Sequence, residues 1–89
     1  MKKFKLTENT IKVGNKTLYQ IESLIDFLDV HVGDKGGYIE KEENLSHDGN
    51  CWVSGNAWVY GNARVYGNAR VSDDARVSDD AEVKNGIIC

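Results

Sequence analysis

The chain has few of the residues that most chemistry needs. It holds two histidines and two cysteines in 89 residues, and Cys51 and Cys89 stand 38 positions apart, neither a CxxC pair nor a zinc-ligand spacing. That usage leads us to expect an intracellular, reduced protein. No apolar run approaches the roughly 20 residues of a membrane-spanning helix. The opening Met1-Lys2-Lys3-Phe4-Lys5 leads into polar sequence, so no signal peptide is expected. A formal charge of −3 with no basic run argues against a partner of nucleic-acid duplex type. Positive charge does gather early, at Lys2, Lys3, Lys5, Lys12 and Lys16, with Glu8 the only acid among them. At 40% apolar and 28% charged, the chain is too apolar for a disordered one. It is also short enough that a lone globular core would be marginal.

What is abundant is a repeat. Valine recurs every six positions at Val53, Val59, Val65, Val71, Val77 and Val83. Two places ahead of each stands a small residue: Cys51, Ala57, Ala63, Ala69, Ala75 and Ala81. Two places after the valines come Gly55, Gly61 and Gly67, then Asp73 and Asp79, then Asn85. Asn56, Asn62, Asn68, Asp74 and Asp80 follow in turn. Residues two apart on an extended strand face the same side, so alanine and valine point inward together. The Gly-Asn and Asp-Asp pairs are turn chemistry, since glycine, asparagine and aspartate tolerate positive φ. A period of six keeps no constant face on a helix, and hairpins want longer strands between turns. One valine and one alanine per unit cannot make a core alone, so the units must stack as coils of a β-solenoid.

Val59-Tyr60-Gly61-Asn62-Ala63-Arg64 and its five sibling units resemble the hexapeptide-repeat, left-handed parallel β-helix family. The resemblance implies three hexads per triangular coil, so that residues 18 apart stack, and it implies the left-handed winding. The stretch Gly33-Asp34-Lys35-Gly36-Gly37-Tyr38-Ile39-Glu40, with Glu43-Asn44-Leu45-Ser46 and Gly49-Asn50-Cys51-Trp52-Val53, is similar to the opening of small phage- and prophage-encoded members. It implies a bacterial virus as the source and the cytoplasm of a bacterial host cell as the working compartment.

The expected fold is therefore all-β: a left-handed parallel β-helix of two regular coils and one irregular coil near residues 35–52. Residues 1–34 are expected to form a hairpin-like capping segment, and residues 35–89 the β-helix, in one cooperative domain. Ile39 and Leu45 read as an extension of the small-residue column, and His47 as a residue in a valine position. Phe4-Lys5-Leu6 and Thr10-Ile11-Lys12-Val13 read as strands around a Thr7-Glu8-Asn9 turn, with Thr17–Ile21 a third strand. Leu24–Leu28 reads as either a helical turn or a buried strand. The far end would be covered by Gly86-Ile87-Ile88-Cys89 or by another subunit.

Catalysis is not expected. Hexapeptide-repeat acyltransferases need a catalytic histidine and a loop for the acyl donor, but His31 and His47 both precede the repeats, which carry no insertion. Three histidines would be needed for a carbonic-anhydrase-type zinc site. The aspartate pairs occupy turn positions rather than a converging oxygen cage, and Cys51 sits in the inward column with no base beside it. We expect no metal and no cofactor.

The informative residues face outward. Before each valine stand Trp52, Trp58, Arg64, Arg70, Arg76 and Glu82, and Tyr60 and Tyr66 follow their valines. An 18-residue coil puts Trp52 over Arg70, Trp58 over Arg76 and Arg64 over Glu82, within cation–π or ion-pair reach. These residues either brace the coils or form one contact patch, since Trp, Tyr and Arg anchor interfaces. The candidate binding residues are Trp52, Trp58, Tyr60, Arg64, Tyr66, Arg70 and Arg76. The favoured function is a non-catalytic binding or assembly protein that forms a dimer or trimer. It would act against host defence by capturing a defence protein or sequestering a nucleotide. A structural oligomer or virion component comes second and an acyltransferase-like enzyme third.

Overall fold

A computed structural model describes residues 2–88. Every described element is a β-strand apart from one 3-10 turn at Glu42–Asn44. A hairpin opens the chain, β1 (Phe4–Val13) and β2 (Lys16–Ser23), followed by β3 (Lys35–Ile39). Two-residue strands then recur, one per hexad: β4 (Trp52–Val53), β5 (Trp58–Val59), β6 (Arg64–Val65), β7 (Arg70–Val71), β8 (Arg76–Val77), β9 (Glu82–Val83) and β10 (Ile87–Ile88).

These strands pair in parallel across successive coils. Trp52 pairs with Arg70 and Val53 with Val71, Trp58 with Arg76 and Val59 with Val77, Arg64 with Glu82 and Val65 with Val83. The 18-residue coil is thereby observed, and with it the β-solenoid. Three sheets result: β1-β2-β3-β5-β8, β4-β7-β10 and β6-β9. Val53, Val59, Val65 and Val71 are fully buried and Val77 is 5% exposed; Cys51, Ala57, Ala63, Ala69 and Ala75 line the same core.

The corners follow from the turn residues. Gly55, Gly61 and Gly67 adopt φ of 64°, 69° and 66°, and Asp73 and Asp79 take the same conformation at 57° and 60°. In each corner the alanine N–H donates to the carbonyl three residues back, as from Ala57 to Ser54 and from Ala75 to Ser72. Gly67 has a second constraint: a Cβ there would lie 2.6 Å from the Lys84 carbonyl oxygen.

The irregular first coil is present, but its register differs from expectation. Ile39 pairs with Val59 and Leu45 bridges Val65, so both continue the valine column rather than the small-residue one. The spacing between these partners is 20 rather than 18, because the corner between Leu45 and Val53 holds two extra residues. His47 lies in that longer corner and is displaced from the column. It stacks instead on Phe4, ring centroids 4.2 Å apart. At β3, a Cβ on Gly36 would come within 2.5 Å of the Val53 carbonyl oxygen, and one on Gly37 within 2.7 Å of the Ala57 oxygen.

The structure departs from expectation at three further places, two of them in the cap. Residues 7–9 form a bulge inside one continuous strand β1, with pairing that jumps from Leu6 to Thr10; the reversal comes at Gly14-Asn15, where Gly14 has φ of 60°. Leu24–Leu28 is neither helix nor buried strand but part of a loop closed by mutual Phe27–Val30 backbone bonds, with Leu24 and Leu28 exposed. At the far end, Ile87 and Ile88 do not fold over the core; they pair with Arg70 and Val71 as a further rung. The reading of Cys89 lies outside the described residues. Phe4, Ile21 and Val30 from the cap join the valine core and close its first coil.

Candidate binding surface

The triangular coil distributes the outward residues over three faces, so Trp52, Trp58, Arg70 and Arg76 do not form one patch. Consecutive hexads occupy consecutive faces, and only residues a full coil apart share one. Each face uses its outward side chains differently.

On the β4-β7-β10 face the cap covers Trp52 and reaches Arg70. Trp52 is 2% exposed, beneath Phe27, whose ring meets it edge-on at 5.4 Å. Arg70 does not stack on Trp52; its Nη2 bonds the Asp29 carboxylate at 3.0 Å, which holds that carboxyl below its usual range. On the β3-β5-β8 face the bracing is internal. The Arg76 guanidinium lies over the Trp58 ring, 3.7 Å from its centroid, and Nη1 donates to the carbonyls of Asn56, Asp74 and Ala75. Tyr60 lies half-buried beyond Trp58.

The β6-β9 face is different. Glu82 stands in register with Arg64, but no ion pair joins them; Glu82 Oε1 instead accepts from the Tyr66 hydroxyl at 3.3 Å. Arg64 is exposed and has no ion pair among the described residues. It borders a groove of about 610 Å³ shared with Lys2, Glu42, His47, Tyr66 and Glu82, within the size range of ligand pockets. Arg64 and Glu43 also line a smaller neighbouring recess of about 240 Å³ with Lys41 and Asn62.

The groove wall is fixed by contacts over long sequence distances. Lys2 Nζ bonds both Glu42 oxygens, at 2.9 and 3.1 Å, and this holds the Glu42 carboxyl below its usual range. The Lys3 amide donates to His47 Nδ1 at 3.0 Å, so the imidazole proton sits on Nε2, which faces Glu42 Oε1 at 3.2 Å. Nδ1 thus holds the cap directly, and Nε2 meets the Glu42 carboxylate that Lys2 of the cap also bonds. His31 is exposed on the cap loop, 3.8 Å from Asp26.

Three residues that sequence reading passed over organise this end. Lys3 is 1% exposed; its ammonium bonds the Cys51 and Gly49 carbonyls at 2.6 and 3.3 Å and lies 3.4 Å from Cys51 Sγ. Burial lowers its pKa from the usual 10.5. Asn44, fully buried, accepts from the Glu40 and Lys41 amides and donates to the Gly61 and Ala63 carbonyls. Glu42 is the third. Sequence does not mark them, because the partners that tie them across the coil are distant: Gly61 and Ala63 for Asn44, Gly49 and Cys51 for Lys3, and Lys2 for Glu42. Among the described residues no group of three or more His, Cys, Asp or Glu side chains is placed to hold a metal ion.

Comparison with known proteins agrees with the repeat. Residues 57–73, 63–79 and 69–84 each match the YdcK β-solenoid repeat. An uncharacterized acetyltransferase, YdcK of Escherichia coli (strain K12), is 46% identical over 39 residues. That match spans 44% of this chain and 12% of the relative. The repeat tract is a β-solenoid of six-residue units, similar to that repeat.

Proposed function

We propose that this hexapeptide-repeat β-solenoid is a non-catalytic binding and assembly protein that meets its partner at the β6-β9 face, around Arg64 and Tyr66. One observation carries the reading: Arg70 and Arg76 are spent on contacts within the molecule, whereas Arg64 beside the groove makes no ion pair among the described residues. The resemblance to phage-encoded proteins supports a counter-defence role in a bacterial host, with a host defence protein as the captured partner. Sequestration of a nucleotide by stacked tryptophans has less support, since Trp52 is covered and Arg76 occupies a face of Trp58. The exposed apolar residues Leu28 and Val32 of the cap loop support self-association as a dimer or trimer. Sedimentation at micromolar concentration tests that part, and a single species near 9.9 kDa would remove it.

The central test is Arg64→Ala beside Arg70→Lys and Arg76→Lys in a phage-defence assay. Arg64→Ala is expected to lose activity at an unchanged melting temperature, while the other two follow stability. An Arg64→Ala protein as active as the parent sinks the reading. The acetyltransferase in the relative's name favours a second reading, in which the solenoid belongs to an acyl-transfer machine. Turnover with acetyl-coenzyme A as donor would establish it.

A further inference from the structure

The charge pattern of the groove points to what it takes up, on the premise that the β6-β9 face is a binding surface. Lys2 and Arg64 bring two positive charges to the lining and Glu42, Glu43 and Glu82 three negative ones, leaving one acid in excess. The Lys2–Glu42 pair is internally neutralised. What remains for a ligand is the Arg64 fork, the exposed Glu43 carboxylate and Glu82, whose one hydrogen-bond partner among the described residues is the Tyr66 hydroxyl. A planar guanidinium grips a carboxylate through two parallel bonds. Two acids beside it repel a multiply charged anion and attract an ammonium group. Arg64 and Glu82 stand on adjacent strands, whose backbones lie about 4.8 Å apart. A ligand satisfying both must carry its opposite charges only a few ångströms from each other.

We propose that the groove binds a zwitterionic, peptide-type ligand, with a carboxylate on Arg64, an ammonium group between Glu43 and Glu82, and aliphatic carbons against the Tyr66 ring. Two neighbouring residues of opposite charge on the surface of a partner protein present this chemistry, and a dipeptide reproduces it. A polyphosphate does not, because the acids oppose it and Arg64 alone cannot neutralise it.

Nuclear magnetic resonance titration of the isotope-labelled full chain tests this with three probes: the dipeptide lysyl-glutamate, inorganic phosphate and adenosine monophosphate. The dipeptide is expected to shift the Arg64 side-chain and Tyr66 amide signals saturably in the millimolar range. Arg64→Ala should weaken it roughly tenfold or more, the loss of a charge-assisted bond. The double variant Glu43→Gln, Glu82→Gln should weaken the dipeptide and strengthen phosphate. Absence of a saturable shift, indifference to Arg64→Ala, or tighter binding of either phosphate probe overturns the proposal. If the dipeptide fails while Arg64→Ala still abolishes activity in the phage-defence assay, the ligand class falls and the binding surface stands.

Discussion

Along the regular coils each corner closes on backbone atoms, from an alanine amide to a carbonyl three residues back. The irregular first coil keeps two such bonds, from Asn44 to Lys41 and from Leu45 to Glu42, and adds side chains to them. Asn44 satisfies four backbone groups between residues 40 and 63, Lys3 satisfies the carbonyls of residues 49 and 51, and His47 accepts the Lys3 amide. The difference teaches where this protein is redundant. In the regular coils one inward valine does the same job as the next, and only its depth distinguishes them. In the first coil each polar side chain has a unique set of partners and no substitute. Ordinary β-repeat physics sustains the former, while the latter depends on single residues buried and fully bonded.

The largest expected effect tests the regular side. Val65→Asp buries an unpaired carboxylate in a fully closed position and should abolish folding, whereas Val83→Asp, half-exposed on the last described coil, should be tolerated. Circular dichroism decides; a Val65→Asp protein melting within a few degrees of the parent would mean the inward column is wrongly drawn. Next comes the irregular side. Asn44→Leu keeps the volume but strands buried amides and carbonyls, and should cost about 2–4 kcal/mol in urea unfolding. A loss no larger than a surface substitution would show that backbone alone closes this coil too.

Lys3 sharpens the contrast through pH. Its folded pKa lies below the usual 10.5 because burial disfavours the charged form. Below the folded value both states carry the proton and folding bears the full cost of burying it. That cost lifts as pH rises through the folded value toward 10.5. The stability of the parent relative to Lys3→Met should therefore rise across the alkaline range, and a flat difference would contradict the burial. Acid works on the cap from the other direction. Glu42, Glu22 and Asp29 are held low by Lys2, Lys35 and Arg70 respectively, so their contribution is present at neutral pH and fades as pH falls through those lowered values.

The smallest effects belong to the regular corners and outer ladder. Asp73→Gly relieves a non-glycine left-handed residue and should stabilise by roughly 0.5 kcal/mol. Arg76→Lys forfeits the guanidinium stacking on Trp58 and should cost about 0.5–1 kcal/mol. Calorimetry resolves both, and a destabilising Asp73→Gly would show that the Asp side chain, not its tolerance of positive φ, holds the corner.

The same contrast sets what could be read from sequence. The valine and alanine columns, the positive-φ corners and the 18-residue coil are periodic, and a period is visible in one chain. Ile39 and Leu45 suit either inward column, and only the length of the corner at residues 46–52 decides between them. That length was hidden because His47-Asp48-Gly49-Asn50 resembles another repeat corner. The Thr7-Glu8-Asn9 segment has turn composition, yet Thr7 Oγ1 bonds the Gln20 carbonyl and keeps it in the strand as a bulge. The cover over Trp52 and the bonding of Lys3 join residues tens of positions apart, for which a single sequence carries no signal. Of the candidate surface, Arg64 and Tyr66 were legible as outward residues; their groove was not, since Lys2 and Glu42 form its wall.

The three-hexad coil has a consequence for how such a chain can change length. Duplicating one hexad between Val53 and Val59 would rotate everything after it by a third of a turn. Arg64 would then leave the face that carries the groove, and Arg70 would no longer stand in register with Trp52. Duplicating three hexads would lengthen the stack and return every outward side chain to its own face. The repeat number thus behaves like a reading frame: additions in threes keep the message in phase, and any other number scrambles it while leaving the core intact.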